Sequence, residues 1–283
     1  MIPALIVIAV LVILFVVYII LLKPRPEPKT SVEPLKVDYA HRGLWGKNEA
    51  VENTMPAFEQ AEEFGYGIEL DVQLSSDGEI VVFHDDTLER LCGRSERVDE
   101  MTASELSWVD IKGTYEKMPL FEDVINRIDH RIPLIIELKG TNTELCEKVA
   151  RMLDNFDGYF SIESFNPFLL NWFRINRPRY VRGQLTTNLF KSKSKASFAA
   201  KFSVTTMFFN FLSKPDYISY DVKYQKSLPV VICDKLYHAM TVVWTVEDRE
   251  TFKEQKEKGR LVIFQKCEPE AEYASKVKRE RRR

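Results

Sequence analysis

Glu69 and Asp71 stand two residues apart in a run, Gly67 to Asp85, that turns at Asp77-Gly78 and returns through Ile80, Val81, Val82 and Phe83 to His84. Two apolar, β-branched stretches joined by an Asp-Gly turn read as a hairpin, and so short a connection requires antiparallel pairing. Alternation along a strand puts Glu69 and Asp71 on one face. Folding about Ser76 and Asp77 sets Leu74 opposite Glu79, Asp71 opposite Val82 and Glu69 opposite His84. Two carboxylates and an imidazole are thus expected at one spot, and buried charges of one sign call for a cation. Elsewhere, Glu137 and Lys139 interrupt the apolar run Leu134 to Lys139, and His41-Arg42-Gly43 closes another, Val37 to His41.

Glu69, Asp71 and Glu137 are hard oxygen donors, a set that suits one Mg²⁺ or Ca²⁺ ion better than zinc. Arg42 and Lys139 add positive charge at the same place, so the group bound there is expected to be an anion, with phosphate foremost. His41 and His84 can serve as a base and an acid, because imidazole titrates near neutrality. General acid–base catalysis contributes about 10²–10⁴-fold, which leaves a metal to stabilise charge on the phosphoryl oxygens. Each residue also has an ordinary reading. A strand-end histidine is commonly a structural hydrogen-bonder, Glu137 and Lys139 could be a simple ion pair, and Trp244 a core side chain. Their joint placement favours a site.

The elements that must position them are eight strand candidates: 37–41, 67–72, 134–138, 159–163, 180–185, 216–220, 241–246 and 261–264. Helical stretches separate most of them: 55–64, 104–110, 120–128, 144–153, 168–176 and 247–258. Residues 191–212 read as a helix–loop segment, and 227–238 resist assignment. Repeated β–α units of this number predict an α/β chain folded as a (β/α)8 TIM barrel over residues 37–270, with a doubly wound open sheet as the alternative. A barrel places its chemistry at the carboxyl ends of several strands. His41 ends the first candidate, Glu69 and Asp71 the second, Glu137 and Lys139 the third, and Trp244 lies near the end of the seventh.

Ala4 to Leu22 is nineteen consecutive apolar residues, enough to cross a bilayer core of about 30 Å. No basic n-region or small-x-small cleavage site marks a signal peptide. Residues 1–22 are therefore expected to be an uncleaved, single-pass anchor. Lys23, Arg25, Lys29 and Lys36 follow it, which predicts a cytoplasmic main domain at the cell membrane. Residues 23–36, with four prolines between Pro24 and Pro34, are expected to form a stiff tether. In the tail, 271–283, the last eight residues carry six basic groups and one acidic, suited to anionic lipid headgroups or to a solvated end. Cys92, Cys146, Cys233 and Cys267 are widely spaced and read as free thiols. The formal net charge is −2; there is no nucleotide-type glycine loop, and no nucleic-acid partner is expected.

His41-Arg42-Gly43, Glu52-Asn53-Thr54, Glu69-x-Asp71-Val72, Asp77-Gly78, His84-Asp85, Glu137-Leu138-Lys139, Ser164-Phe165 and Trp244-Thr245-Val246 resemble, in order, the motifs of the glycerophosphodiester phosphodiesterase family, over about residues 38–265. The resemblance is to a membrane-anchored, bacterial-type member. It implies a barrel of the phospholipase-C-like phosphodiesterase type and metal-dependent hydrolysis of glycerophosphodiesters to glycerol 3-phosphate and an alcohol. It further implies that His41 and His84 are the acid–base pair, that Glu69, Asp71 and Glu137 hold the metal, and that Arg42 and Lys139, with Trp244, bind substrate. Val51, Glu247 and the run Phe264-Gln265-Lys266-Cys267-Glu268-Pro269 depart from the family pattern and are expected to alter pocket shape or specificity only. Lysophospholipids are an alternative substrate, given the anchor. A non-catalytic barrel that binds a phospholipid headgroup or a partner protein, and release of a cyclic phosphate by attack of a substrate hydroxyl, are the other readings.

Overall fold

The computed structural model describes residues 2–26, 28–46 and 50–267. Eight parallel strands close into a barrel: β1 (Tyr39–His41), β2 (Gly67–Leu74), β4 (Leu134–Leu138), β5 (Phe160–Ser164), β6 (Arg182–Thr186), β7 (Tyr217–Asp221), β8 (Met240–Val246) and β9 (Leu261–Phe264). Closure comes from β1, which pairs with β2 on one side and β9 on the other. The short antiparallel β3 (Ile80–Val82) lies outside the ring against the end of β2. All eight expected strands are present with ends within two residues of the sequence reading, and the closed ring excludes the open sheet.

Alternation of side chains explains how an apolar chain comes to hold a polar interior. In β2, Ile68, Leu70 and Val72 face outward into the core shared with Phe58, Ala61 and Val124 of the surrounding helices. That leaves Gly67, Glu69 and Asp71 to the inside. β4 repeats the pattern, with Leu134, Ile136 and Leu138 outward and Ile135 and Glu137 inward. Near the amino-terminal face the interior is apolar, a layer of Tyr39, Ile135, Tyr217, Val242 and Ile263 closed beneath by Leu35. Toward the carboxyl ends the inward positions become polar.

The hairpin register differs from expectation by one residue. Val72 faces Val82, Gln73 faces Val81 and Leu74 faces Ile80, so Asp71 meets Phe83, whose amide donates to the Asp71 carbonyl at 3.0 Å. The turn is longer than assumed: Ser75 caps it by accepting from the Glu79 amide at 2.9 Å and donating to Asp77 at 2.6 Å. His84 lies beyond the end of β3, in the loop that follows. That loop begins an insertion, residues 83–120, with its own small core of Phe83, Leu88, Leu91, Val98, Leu106 and Val109. The helix expected at 104–110 is a single turn, Ala103–Leu106, begun by a Thr102/Glu105 capping box. The unassigned region 227–238 is the helix Leu228–Val231 followed by a π-helical turn, Ile232–Leu236, whose wider spacing breaks the 3.6-residue period.

The apolar helix spans Ile2–Leu22. Residues 23–36 do not stand free as a tether. The Arg25 amide donates to the Pro215 carbonyl at 2.9 Å, the Thr30 hydroxyl to the Arg179 carbonyl at 2.7 Å, and Leu35 is buried under the barrel. The segment turns on itself near its end, where the Leu35 amide donates to Val32 and the Lys36 amide to Glu33. Residues 268–283, including the basic tail, and Asn48 and Glu49 lie outside the described residues.

Gly183 is the tightest point of the interior. A Cβ there would stand 2.1 Å from the Tyr217 ring, and that ring is fixed by hydrogen bonds with Ser161 at 3.0 Å and Glu163 at 3.2 Å. Gly183→Ala is expected to destabilise the protein by about 1–3 kcal/mol, measured as a lowered denaturant midpoint in detergent. An unchanged midpoint would mean the ring yields freely.

Candidate active site

The inward residues at the carboxyl ends of the strands enclose a cavity of about 180 Å³, lined among others by His41, Arg42, Glu69, His84, Glu137, Glu163 and Trp244. Asp71, two residues after Glu69 on the same face of β2, is fully buried beside it. Glu69, Asp71 and Glu137 each offer a carboxylate oxygen, and the three oxygens lie within 4.8 Å of one another. The loop after β1 turns sharply to reach them. Arg42 and Gly43 both take left-handed conformations, at φ 58° and 80°. A Cβ on Gly43 would meet Ala57 at 2.8 Å, so glycine lets this loop lie against the helix Met55–Phe64. The Arg42 amide then donates to Glu69 at 2.9 Å, while its guanidinium binds Glu52 at 2.5 Å and lies 3.3 Å from Asp71. Lys139 sits between carboxylates, 2.8 Å from Glu137 and 3.2 Å from Asp71.

The electrostatics are unbalanced. Glu69, Asp71, Glu137 and Glu163 face two nearby cations, Arg42 and Lys139. Burial, then the charges of Asp71 and Glu137, push Glu69 well above the ordinary carboxylate value. Glu137 is raised chiefly by burial, against the pull of Lys139. Burial followed by repulsion from Glu137 lifts Glu163 to about 8. Asp71 goes the other way: burial opposes ionisation, but Lys139, His84 and Arg42 together hold it well below the usual range. Its Oδ1 is buried and accepts no hydrogen bond among the described residues, although Lys139 lies nearby. Three convergent hard oxygens fit a Mg²⁺- or Ca²⁺-type ion.

Each histidine is oriented by a partner. His41 Nδ1 is 2.6 Å from Gln265 Oε1, and the Gln265 amide nitrogen donates to Glu247. Because a carboxylate only accepts, Glu247 fixes the amide, the amide oxygen faces His41, and the proton belongs on Nδ1. Nε2 is left with its lone pair toward the cavity, 3.9 Å from Glu69. Burial, then the charge of Arg42, lowers the His41 pKa to about 3, so the ring is neutral. His84 Nδ1 is 2.6 Å from Asp85. Burial alone would raise Asp85, but hydrogen bonds from His84 and Arg90 prevail and bring it to about 2. Arg90 also reaches Glu52 at 2.7 and 2.9 Å, tying the insertion to the loop after β1. The Trp244 indole lines the cavity and packs edge-on against Phe165 at 5.7 Å. Its N–H has no acceptor among the described residues.

Every site residue expected from the sequence is therefore gathered at one end of the barrel, with Lys139 and Asp71 in contact with the cavity's carboxylate wall rather than among the side chains lining it. Several neighbours had no role assigned. Asn53, left-handed at φ 57°, donates to Asp71 at 2.8 Å. Glu163 follows the same rule as Glu137, a carboxylate at an inward position near the end of an apolar strand, and could have been found by it. Arg90 carries no local signal, since its place depends on how the insertion folds. The departures Glu247 and Gln265 are not confined to pocket shape, because they pair with each other and Gln265 touches His41 directly.

The sequence profile of the Glycerophosphoryl diester phosphodiesterase family matches residues 41–264. The glycerophosphodiester phosphodiesterase of Bacillus altitudinis is 36% identical over 130 residues, which is 42% of this chain and 52% of that protein. The lysophospholipase D GDPD3 of Mus musculus is 34% identical over 143 residues, 46% of this chain and 42% of its own length. The chain thus spans about half the length of these curated relatives. Among solved structures, a phosphodiesterase of Oleispira antarctica in complex with the product sn-glycerol-3-phosphate shares the fold at a TM-score of 0.65 and 22% identity, covering 87% of this chain and 97% of that one. With a matching profile over most of its length and the family's barrel, the chain belongs to the glycerophosphoryl diester phosphodiesterase family.

Proposed function

We propose that the chain is a membrane-anchored phosphoric diester hydrolase that cleaves glycerophosphodiesters to sn-glycerol 3-phosphate and an alcohol, with one divalent cation held by Glu69, Asp71 and Glu137. The observation that carries the reading is the meeting of those three oxygens within 4.8 Å with His41 and His84 around one cavity, in a chain of this family. A bound Mg²⁺ or Ca²⁺ would supply charge to the phosphoryl oxygens. Arg42 adds positive charge at the cavity wall, and Trp244 offers a flat face and a donor for the glycerol moiety. Lys139, in contact with Glu137 and Asp71, serves phosphate binding by offsetting those carboxylates.

Proton transfer falls to the histidines. His41, neutral and with Nε2 free of a proton, takes the proton of the attacking oxygen, whether that oxygen belongs to water or to a glycerol hydroxyl. His84, held by Asp85 at Nδ1, gives a proton to the departing alkoxide. Retention of residues 1–22 is supported by the burial of Leu22 in the barrel's outer core, since cleavage after the apolar run would remove part of that core. The basic residues after the helix support a cytoplasmic catalytic domain at the cell membrane. Residues 37–270 are the catalytic unit in this reading, and the tail at 271–283 is a further contact for anionic lipid. Lysophospholipids are the second substrate class, favoured by the anchor and by the relative named lysophospholipase D.

Metal-stripped full-length protein in detergent is expected to release no glycerol 3-phosphate from glycerophosphocholine, glycerophosphoethanolamine or a lysophospholipid until Mg²⁺ or Ca²⁺ is restored. His41→Ala is expected to lower kcat by about 10²–10⁴-fold, and Glu69→Gln to abolish the metal response. Phosphorus NMR of the product separates hydrolysis from cyclic phosphate. Turnover that is indifferent to chelator and to both substitutions would refute the assignment. Gln265→Leu removes the group that fixes the His41 tautomer. Loss of such a supporting hydrogen bond is expected to reduce kcat roughly 10–100-fold with KM little changed, and an unaltered kcat would show that His41 needs no such partner.

A further inference from the structure

The end of the apolar helix and the segment after it run alongside one descending stretch of chain, residues 204–216, in matching order. The upper end of that stretch is pinned to the barrel mouth. At the carboxyl end of β6, the Thr186 hydroxyl donates to the Val204 carbonyl at 2.7 Å, and the Leu189 amide donates to the Thr205 hydroxyl at 3.1 Å. The next carbonyl, of Thr206, accepts from the Tyr18 hydroxyl at 2.8 Å. Lower down, Asn210 donates to the Leu22 carbonyl at 3.3 Å and Lys214 to the Lys23 carbonyl at 3.1 Å. At the foot, where β7 begins, the Arg25 amide donates to Pro215 at 2.9 Å and its guanidinium pairs with Asp216 at 3.1 Å. The helix therefore enters from the carboxyl side and travels toward the amino-terminal face. The Ile19 carbonyl accepts from the Tyr237 hydroxyl at 2.7 Å, just before β8, and the earlier residues, Leu5 to Val17, of which the large side chains are 44–62% exposed, extend from Tyr18 in the direction of the carboxyl side.

We infer that the barrel meets the bilayer mouth first, so that the catalytic cavity faces the lipid leaflet and takes substrates whose acyl chain stays in the membrane. The inference rests on the reading of the helix as a membrane span. Length supports it. The projecting part, Pro3 to Val17, is roughly 22 Å long at 1.5 Å per residue, short of a hydrocarbon core of about 30 Å. The flank that embraces Tyr18 and Leu22 must then sit at the membrane edge. Its composition suits that place: residues 188–214 hold six phenylalanines, five lysines and no acidic residue. Phe198 is 74% and Phe190 48% exposed, and the two rings touch edge-on at 5.7 Å, beside Lys191, Lys193 and Lys195. Aromatic rings and lysines together are the chemistry of the headgroup layer, where each lysine near anionic lipid contributes about 1 kcal/mol. The occupant of this rim is an anionic phospholipid surface.

The test uses the full chain in vesicles of phosphatidylcholine and phosphatidylglycerol, with a fraction of the lipids bearing a headgroup nitroxide. A fluorophore is attached at Phe190→Cys, at Phe198→Cys or, on the amino-terminal face, at Lys258→Cys, each in a Cys92→Ser background, since the other three cysteines are buried. Quenching of at least about twofold at 190 and 198, with none at 258, is the expected result. Quenching at 258 alone, or no quenching at any of the three, would overturn it. Flotation of the vesicles reports insertion separately. Protein that fails to float refutes the membrane span and the inference together, whereas protein that floats with quenching at 258 and none at 190 or 198 refutes the orientation alone. Neither readout depends on hydrolysis.

Discussion

The repulsion among buried carboxylates inside the barrel is the constraint around which the rest of this protein is arranged. Glu69, Asp71 and Glu137 converge within 4.8 Å, with Glu163 close behind, in a place that is largely buried. Such a cluster persists only if its charge is offset. Arg42 and Lys139 offset part of it, and their burial among acids is what holds them in place. The loop after β1 takes left-handed turns at Arg42 and Gly43 to bring an amide and a guanidinium to the cluster. Glu52 and Arg90 hold that guanidinium and join the loop to the insertion that supplies His84. What remains uncompensated raises the Glu69, Glu137 and Glu163 carboxyls above their ordinary range and favours a bound cation.

A barrel accommodates this because the strand period separates two environments within a few residues. The outward side chains of β2 and β4 are continuous hydrocarbon, and the inward ones alternate with them. An apolar layer from Tyr39 to Ile263 forms a dry base, so the polar layer above is rigidly seated and its hydrogen bonds are strong. His41 illustrates the consequence. Its ring is held by Gln265, which Glu247 orients in turn, and the side chain that faces the cavity is thereby one tautomer of a neutral imidazole. Two positions that depart from the family pattern thus act on the same ring, Gln265 directly and Glu247 through it.

Much of this was legible in the sequence, for physical reasons. Strand periodicity located all eight strands, and the rule that barrels place chemistry at carboxyl ends selected His41, Glu69, Asp71 and Glu137 without reference to distance. The hairpin register was not legible, because it depends on how Ser75 caps the turn, and one residue more in the turn moves every pairing. Arg90 and Glu52 form a contact across 38 positions, set by tertiary folding of the insertion and invisible to local pattern. The segment 23–36 looked like a spacer because proline and charge suggest solvent, yet Arg25, Thr30 and Leu35 tie it to the barrel. The π-helical turn at Ile232–Leu236 follows a period that no amphipathic template anticipates.

The most direct test of the carboxylate cluster is the thermal unfolding of metal-stripped protein with and without saturating Mg²⁺ or Ca²⁺, beside Glu137→Gln. An ion that binds only the folded state at 100 times its Kd stabilises by about 2.7 kcal/mol, a rise in Tm of roughly 5–10 °C for a chain of this size. The account predicts that rise in the parent protein. It also predicts that Glu137→Gln, by relieving repulsion, melts no lower than the stripped parent and gains little from the ion. A parent that ignores both ions, or a variant that melts well below it when stripped, would contradict the view that the barrel holds an unbalanced charge awaiting a cation.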